Sequence, residues 1–385
     1  MSSAPSPTDP IRVVHVIARM NVGGPSQILT GLLRELDPAR YEQHIIVGSP
    51  GPGEREWFEL RDKDLAHDPR IIRVPAFGPT IAPVRDARTL VRLIRELRRL
   101  RPDVVQTHTA KAGMLGRMAA LIVRVPTVIH TYHGHTLHGY FSRPIVALFT
   151  SIERLLARRT QHLVAVGSRV RDELIAERIG RPDQYVVVAP GAPDTARPDP
   201  QTARRHLGLP LDAPVVTFVG RLAKVKRPDR FLAVAETVSE SHPDAVFVLV
   251  GDGELRGELE ASAVSSTVRF LGWQSDIPAV HSASDIIMVT SDNEGMPIVL
   301  IEASIAGRPC ITTDVGSAGE VVAHEETGLV VAPDVELLAR AVRALLDDPP
   351  RRQRYGEQAR IRTLERFGMA AVAERLAALY PDAPA

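Results

Sequence analysis

Twice along this chain of 385 residues, short β-branched runs alternate with longer amphipathic stretches, and a proline-rich gap separates the two arrays. Alternation of this kind builds βαβ units around a parallel sheet, because a parallel strand pair needs a crossover long enough to hold a helix. The first array offers strands at Val13 to Ile17, His44 to Val47, Ile71 to Val74, Val104 to Thr107, Val128 to Thr131, Leu163 to Val166 and Val186 to Val188. Helices fit the gaps at Pro25 to Leu36, Asp86 to Leu100, Lys111 to Val123, Pro144 to Arg159 and Ser168 to Arg178, with Ser168 suited to an N-cap.

Between Pro190 and Pro200 proline and glycine are too dense for either regular element, so the linker is placed there. A second array follows, with strands at Val215 to Val219, Val246 to Val250, Val268 to Leu271, Ile286 to Val289, Cys310 to Thr312 and Leu329 to Val331. Its helices lie near Pro228 to Ser239, Glu254 to Ala263, Ile277 to His281, Pro297 to Ala306 and Val335 to Leu346. The expected fold is α/β, with two Rossmann-like domains of parallel sheet at 1–190 and 191–366. Residues 367–385 are read as a closing helix that packs back on the first domain. A chain this long exceeds what one core supports, which agrees with two domains. Open parallel sheets bind ligands at the carboxyl ends of their strands, so the chemistry is expected in a cleft that both sheets face.

Composition removes other classes. Hydrophobic residues make up 44% and charged residues 24%, as in ordinary globular chains, which excludes disordered and collagen-like proteins. The single cysteine, Cys310, sits in an apolar run and reads as a small buried hydrophobe. The first ten residues lack the apolar core of a secretory signal, and no window reaches the 18 apolar residues of a membrane span, so a cytoplasmic protein is expected. Charge is unevenly spread: residues 1–190 carry 27 basic and 18 acidic side chains, against 20 and 28 in the remainder. Arg88, Arg92, Arg95, Arg98, Arg99 and Arg101 crowd one helix and its end. This is either a solvated helix face or a surface drawn to anionic lipid or to a phosphate-bearing acceptor at the inner membrane face. With aromatics at 4%, nucleic acid is not expected as a partner.

Several residues fall at predicted strand ends. In Ser291-Asp-Asn-Glu-Gly-Met-Pro-Ile-Val-Leu-Ile-Glu, Glu294 lies in a loop and Glu302 eight positions later on a helix opening near Pro297. Free N–H groups at that helix start favour a phosphate, and Gly295 lets the backbone approach it. A carboxylate such as Glu302 accepts two hydrogen bonds from a vicinal diol, and otherwise it merely pairs with a nearby arginine. In Phe218-Val-Gly-Arg-Leu-Ala-Lys-Val-Lys-Arg-Pro, Gly220 ends a strand and Arg221, Lys224, Lys226 and Arg227 follow. Arg221 and Lys226 suit a diphosphate and take the place of a metal ion, unless the loop is simply solvated. Gly23 and Gly24 form a turn after the first strand without the full dinucleotide spacing. His133 and His135 follow the strand ending at Thr131, and His108 and Lys111 follow the one ending at Thr107. Four histidines within nine residues invite a zinc site, but no cysteine or acidic cluster completes a ligand shell, so neither a metal nor a cofactor is expected.

These pieces together resemble the GT-B glycosyltransferases of retaining family four, the group 1 glycosyltransferases, over nearly the whole chain. Gly251-Asp-Gly-Glu-Leu, Phe270-Leu-Gly-Trp, Gly316-Ser-Ala-Gly-Glu and Thr327-Gly-Leu-Val-Val extend the match through the second array. The resemblance implies a metal-independent transferase that moves a sugar from a nucleotide diphosphate donor, usually a UDP sugar, to a glycan, lipid-linked or small-molecule acceptor. It implies that Glu302 holds the ribose hydroxyls, Glu294 the donor sugar hydroxyls, and Arg221 with Lys226 the diphosphate. His133 would stand near the donor sugar, Gly24 near its phosphate and the acceptor, and the backbone of Phe270 and Leu271 against the base. Gly23, Gly220, Gly295, Met296 and Pro297 complete the donor side, and His108, Lys111 and His135 the acceptor side. Two positions depart from the family pattern: Met296 replaces a frequent aromatic residue and Ser317 a paired glycine. The alternatives are a sugar-nucleotide epimerase or hydrolase on the same fold, and a nucleotide-sugar binding module without catalysis.

Overall fold

The computed structural model describes residues 9–21, 23–51, 56–78, 80, 82–134, 143–263 and 266–381. They divide into two units, 1–191 joined by 369–385, and 192–368. The predicted His135 lies outside the described residues.

The first unit holds strands β1 (Ile11–Ile17), β2 (Tyr41–Val47), β3 (Ile71–Arg73), β4 (Val104–His108), β5 (Thr127–Tyr132), β6 (His162–Ala165) and β7 (Tyr185–Val187). Its helices are α1 (Gly24–Glu35), α2 (Trp57–Leu60), α3 (Pro83–Leu100), α4 (Ala110–Val123), α5 (Arg143–Ala157) and α6 (Ser168–Ala176). All strands run parallel in the order β3-β2-β1-β4-β5-β6-β7. Helices cover both faces, so the central strands are largely apolar on both sides, although β4 and β5 also bury Gln106, Thr107, His108 and His130. Val13, Val104 and Ile129 pack on one face with Ile28 and Leu32 of α1. On the other face Val14, Val16 and Val105 meet Leu93 and Leu97 of α3 and Leu115 and Ala119 of α4. Ser168 is the first residue of α6 and not its cap; Gly167 occupies the N-cap position, and no side chain there accepts a hydrogen bond.

The second unit repeats the plan with β8 (Val215–Val219), β9 (Val246–Val250), β10 (Val268–Gly272), β11 (Ile286–Val289), β12 (Cys310–Thr313) and β13 (Gly328–Val331), parallel in the order β10-β9-β8-β11-β12-β13. Around them lie α7 (Pro200–Leu207), α8 (Pro228–Ser239), α9 (Arg256–Ser262), α10 (Ile277–Ala283), α11 (Ile298–Ile305), α12 (Ala318–Val321), α13 (Val335–Leu346) and α14 (Pro349–Phe367). Phe231 of α8 is fully buried, packed edge-on against Phe218 of β8 and Phe247 of β9. Burial of such a ring contributes roughly 2–3 kcal/mol. The linker expected up to Pro200 gives way to α7 at that residue: Asp199 accepts from Thr202 N as the N-cap, Pro200 sits in the first turn, and Gly208 ends the helix in the left-handed region. A last helix, α15 (Met369–Ala377), returns to the first unit, where Met369, Val372 and Leu376 join the core formed with α1. Gly31 of α1 gives it room, since a Cβ there would fall 2.4 Å from Met369 Sδ.

Candidate functional site

In the second unit the strand order reverses between β8 and β11, which lie side by side with Val216 opposite Ile286. A parallel sheet opens a crevice at such a switch point. The loops after these two strands, residues 220–227 and 290–297, carry most of the charged candidates. Lys226 Nζ donates to both carboxylate oxygens of Glu294, at 2.6 and 2.7 Å, and Ser291 Oγ donates to Oε1 at 2.6 Å. The glutamate side chain is 8% exposed and the lysine 33%, so the carboxylate is held and the ammonium keeps one side open to solvent.

A second layer of contacts fixes the loops against each other. Thr290 Oγ1 reaches the carbonyl oxygens of Lys226 and Arg227 at 3.1 and 2.9 Å, and Asp292 N donates to Val225 O at 2.9 Å. Arg230, buried in the first turn of α8, donates to Thr290 O and pairs with Asp292 at 2.7 Å. Arg227 pairs with Asp229 and Asp292, which raise its pKa above the ordinary arginine range. It is therefore tied into the scaffold. Arg221 and Lys224 are exposed. Gly316 supports the same loop: its φ of +49° lies in the left-handed region, and a Cβ there would come within 1.6 Å of Glu294 O. Ser317 N donates to Gly295 O at 2.9 Å. Gly251, with φ +138°, follows β9 where a Cβ would come within 1.9 Å of Gly220 O.

Met296 is buried, and Pro297 is the N-cap of α11, so the helix opens one residue later than its predicted start at Pro297. Glu302 lies in the second turn of α11 with its side chain 26% exposed. Behind it, His281 Nε2 of α10 is 3.8 Å from Glu302 Oε2 and buried, with no hydrogen-bond partner for either ring nitrogen among the described residues. Phe270 and Leu271 are half-buried on β10, an edge strand that bulges between Phe270 and Gly272. Gln274 Nε2 donates to Leu271 O at 2.8 Å, so that carbonyl already has one partner.

The first unit has its own switch point between β1 and β4. Gly23 is the N-cap of α1 in extended backbone, and Gly24 is its first residue. His108, the last residue of β4, is fully buried, and its Nδ1 lies 3.1 Å from Nε2 of His133, which is half-buried just beyond β5. These histidines, expected at two strand ends, are joined directly. Burial lowers His133 to about 4 and holds His108 well below the usual histidine range, where its imidazole neighbours add to the effect, so both are neutral near pH 7. Lys111 does not project freely: on the first turn of α4 it pairs with the buried Asp86 of α3 at 2.6 Å and donates to Thr80 O. The end of β5 is anchored by an unforeseen network, in which Tyr132 Oη donates to Glu153 at 2.5 Å and the fully buried Arg117 reaches the same carboxylate at 2.5 and 2.7 Å. A cavity of about 310 Å³ at the carboxyl ends of β2 and β3 is lined by Ser49, Glu56, Glu59 and Arg73 among others.

Lys226 with Glu294, and His108 with His133, were each named from sequence without their pairing. His281, Ser291, Asp292, Arg230 and the Arg117–Glu153 pair carried no local signal, because their neighbours are brought by the sheet from distant segments. Among the described residues no group of three histidine, cysteine, aspartate or glutamate side chains is arranged to hold a metal ion, and no helix is long and apolar enough to cross a membrane.

Residues 23–191 match the family described as glycosyl transferase 4-like domain, and residues 199–362 match glycosyl transferases group 1. The chain is 29% identical over 352 residues to the UDP-Gal:alpha-D-GlcNAc-diphosphoundecaprenol alpha-1,3-galactosyltransferase of Escherichia coli, covering 88% of each. It is 32% identical over 305 residues to the D-inositol 3-phosphate glycosyltransferase of Corynebacterium aurimucosum, covering 73% of this chain and 72% of that one. Among solved structures, Anabaena HepE in complex with UDP shares the fold with a TM-score of 0.77 at 21% identity, covering 96% of this chain and 98% of that one. The paired loops at the second switch point, the two parallel sheets and these matches lead to one conclusion: the chain belongs to the group 1 glycosyltransferases of family four and has the GT-B fold.

Proposed function

We propose that this glycosyltransferase takes its sugar from a UDP donor, retains the anomeric configuration, needs no metal ion and delivers to a saccharide or lipid-linked acceptor. The observation that carries the reading is the arrangement at the β8/β11 switch point, where Lys226 holds Glu294 and Arg221 stands exposed on the same loop as Lys226. Two cations beside a fixed carboxylate suit a sugar diphosphate: Arg221 and Lys226 neutralise the leaving phosphates, and Glu294 accepts from sugar hydroxyls. Glu302 takes the ribose diol, and the backbone of Phe270 and Leu271 borders the base. His133 contacts the donor sugar, and Gly23 and Gly24 leave room for its phosphate. In this scheme the departing diphosphate takes the acceptor proton, so positioning and stabilisation of the leaving charge supply the rate without a protein base. The choice of UDP is supported by the donor named for the E. coli relative and by the nucleotide bound in HepE.

The first unit is proposed to rest on the inner face of an anionic membrane, which fits a lipid-linked acceptor of the kind named for the E. coli relative. Val84 and Val91 of α3, Leu121 and Ile122 of α4, and Leu148 and Leu155 of α5 are exposed, and Arg88, Arg95 and Arg98 are exposed on α3.

Titration with UDP and its 2′,3′-dideoxy analogue tests the nucleotide site. The wild-type chain is expected to prefer UDP by about tenfold or more, the value of hydrogen bonds to a charged carboxylate. Glu302→Ala should erase that preference; equal wild-type affinity for the two ligands contradicts the assignment.

A further inference from the structure

The two histidines at the ends of β4 and β5 share a single hydrogen bond, and its direction follows from what surrounds them. His108 is fully buried, its Nδ1 lies 3.1 Å from His133 Nε2, and its Nε2 has no hydrogen-bond partner among the described residues. The nearest imidazole on its other side, His15 of β1, is 5.7 Å away between ring centroids and tilted by 44°, packed against it without a hydrogen bond. His130 is engaged elsewhere, its Nδ1 lying 2.8 Å from Thr107 Oγ1 and 3.1 Å from Thr107 O. A neutral imidazole carries one proton. Placed on Nε2 of His108, that proton would be a buried donor without an acceptor, which is rarer in folded proteins and costlier than a bare lone pair. Placed on Nδ1, it has His133 Nε2 as its acceptor.

We propose that His108 is a positioning residue: by donating Nδ1–H to His133 Nε2 it holds His133 as the neutral Nδ1–H tautomer, which offers a hydrogen-bond donor, and no acceptor, beyond the end of β5. The consequence for catalysis rests on the reading of His133 as the donor-sugar contact. A donor-only imidazole grips a sugar oxygen through its lone pair and cannot take a proton from the acceptor, which agrees with a reaction that uses no protein base. It also favours sugars that present an oxygen at that place over those that present only a hydrogen or a methyl group. Burial serves the same end, since it disfavours the imidazolium and leaves each ring a single proton to place.

Long-range 1H–15N correlation spectra of protein labelled with 15N-histidine read the tautomer directly, with the His133 signals identified by their loss in His133→Phe. The expected result at pH 7.5 is Nδ1–H for both His108 and His133. In His108→Leu, His133 should move to a mixture of tautomers, and kcat for donor hydrolysis should fall about tenfold with KM little changed. His108→Asn, whose amide N–H replaces Nδ1–H, should restore both. A wild-type His133 protonated on Nε2, or a His133 tautomer unaltered in His108→Leu, overturns the proposal. Should the leucine variant fail to fold, the wild-type spectrum and the asparagine variant decide between these outcomes. If the spectra are as expected but no nucleotide sugar is consumed, the positioning role stands and the functional reading falls.

Discussion

At the level of single residues, Lys226 and Glu294 work as a pair although they lie 68 positions apart in sequence. The carboxylate is held by the ammonium and by Ser291, so its orientation is fixed by the protein itself, and the lysine keeps one side open to solvent. Lys226→Ala should therefore do more than remove one positive charge, because Glu294 loses its anchor. A fall in kcat of about 100-fold to 1,000-fold is predicted, the loss typical of one preorganised group facing developing charge. Steady-state turnover of the donor measures it, and a variant within twofold of wild type speaks against the assignment. From sequence, the residue types were readable as candidates because they fall at the carboxyl ends of predicted strands, where an open parallel sheet binds its ligand. Their partnerships were not. Which cation meets which carboxylate depends on two loops meeting at a reversal of strand order, and no local spacing encodes it.

At the scale of elements, the strands were the most legible part of the chain. Val215–Val219, Val246–Val250 and Ile286–Val289 run as read, because a strand buried on both faces is apolar over most of its length. Elements with mixed signals were harder: α7 begins inside a stretch whose prolines argue for a linker, and only the Asp199 cap and Gly208 reveal a helix. The turn after β12 shows how one backbone position supports a distant site. Gly316 has a left-handed φ and touches the Glu294 carbonyl, so Gly316→Ala adds both strain and a clash with a main-chain atom. The expected cost is about 2–4 kcal/mol of stability, and nucleotide affinity should fall with it. Thermal unfolding with and without UDP measures both; an unchanged midpoint and unchanged ligand shift contradict the contact.

For the whole molecule, charge is divided between the two halves of the chain, and the basic half carries α3 with its exposed arginines. Arg92 and Arg99 pair with Glu96, leaving Arg88, Arg95 and Arg98 to face solvent beside Val84 and Val91. Each basic residue near an anionic membrane contributes about 1 kcal/mol, so replacing these three by glutamine should abolish most sedimentation with phosphatidylglycerol vesicles at low salt. Absence of wild-type binding to such vesicles points instead to an acceptor free in solution. NMR of purified enzyme incubated with UDP, GDP or ADP sugars and EDTA, with and without candidate saccharide acceptors, reads the consumed donor and the anomeric configuration of the product together. The expected result is consumption of a UDP sugar with retained configuration, undiminished by EDTA. Inverted product, activity abolished by EDTA, or no consumption of any of the three donors would contradict it.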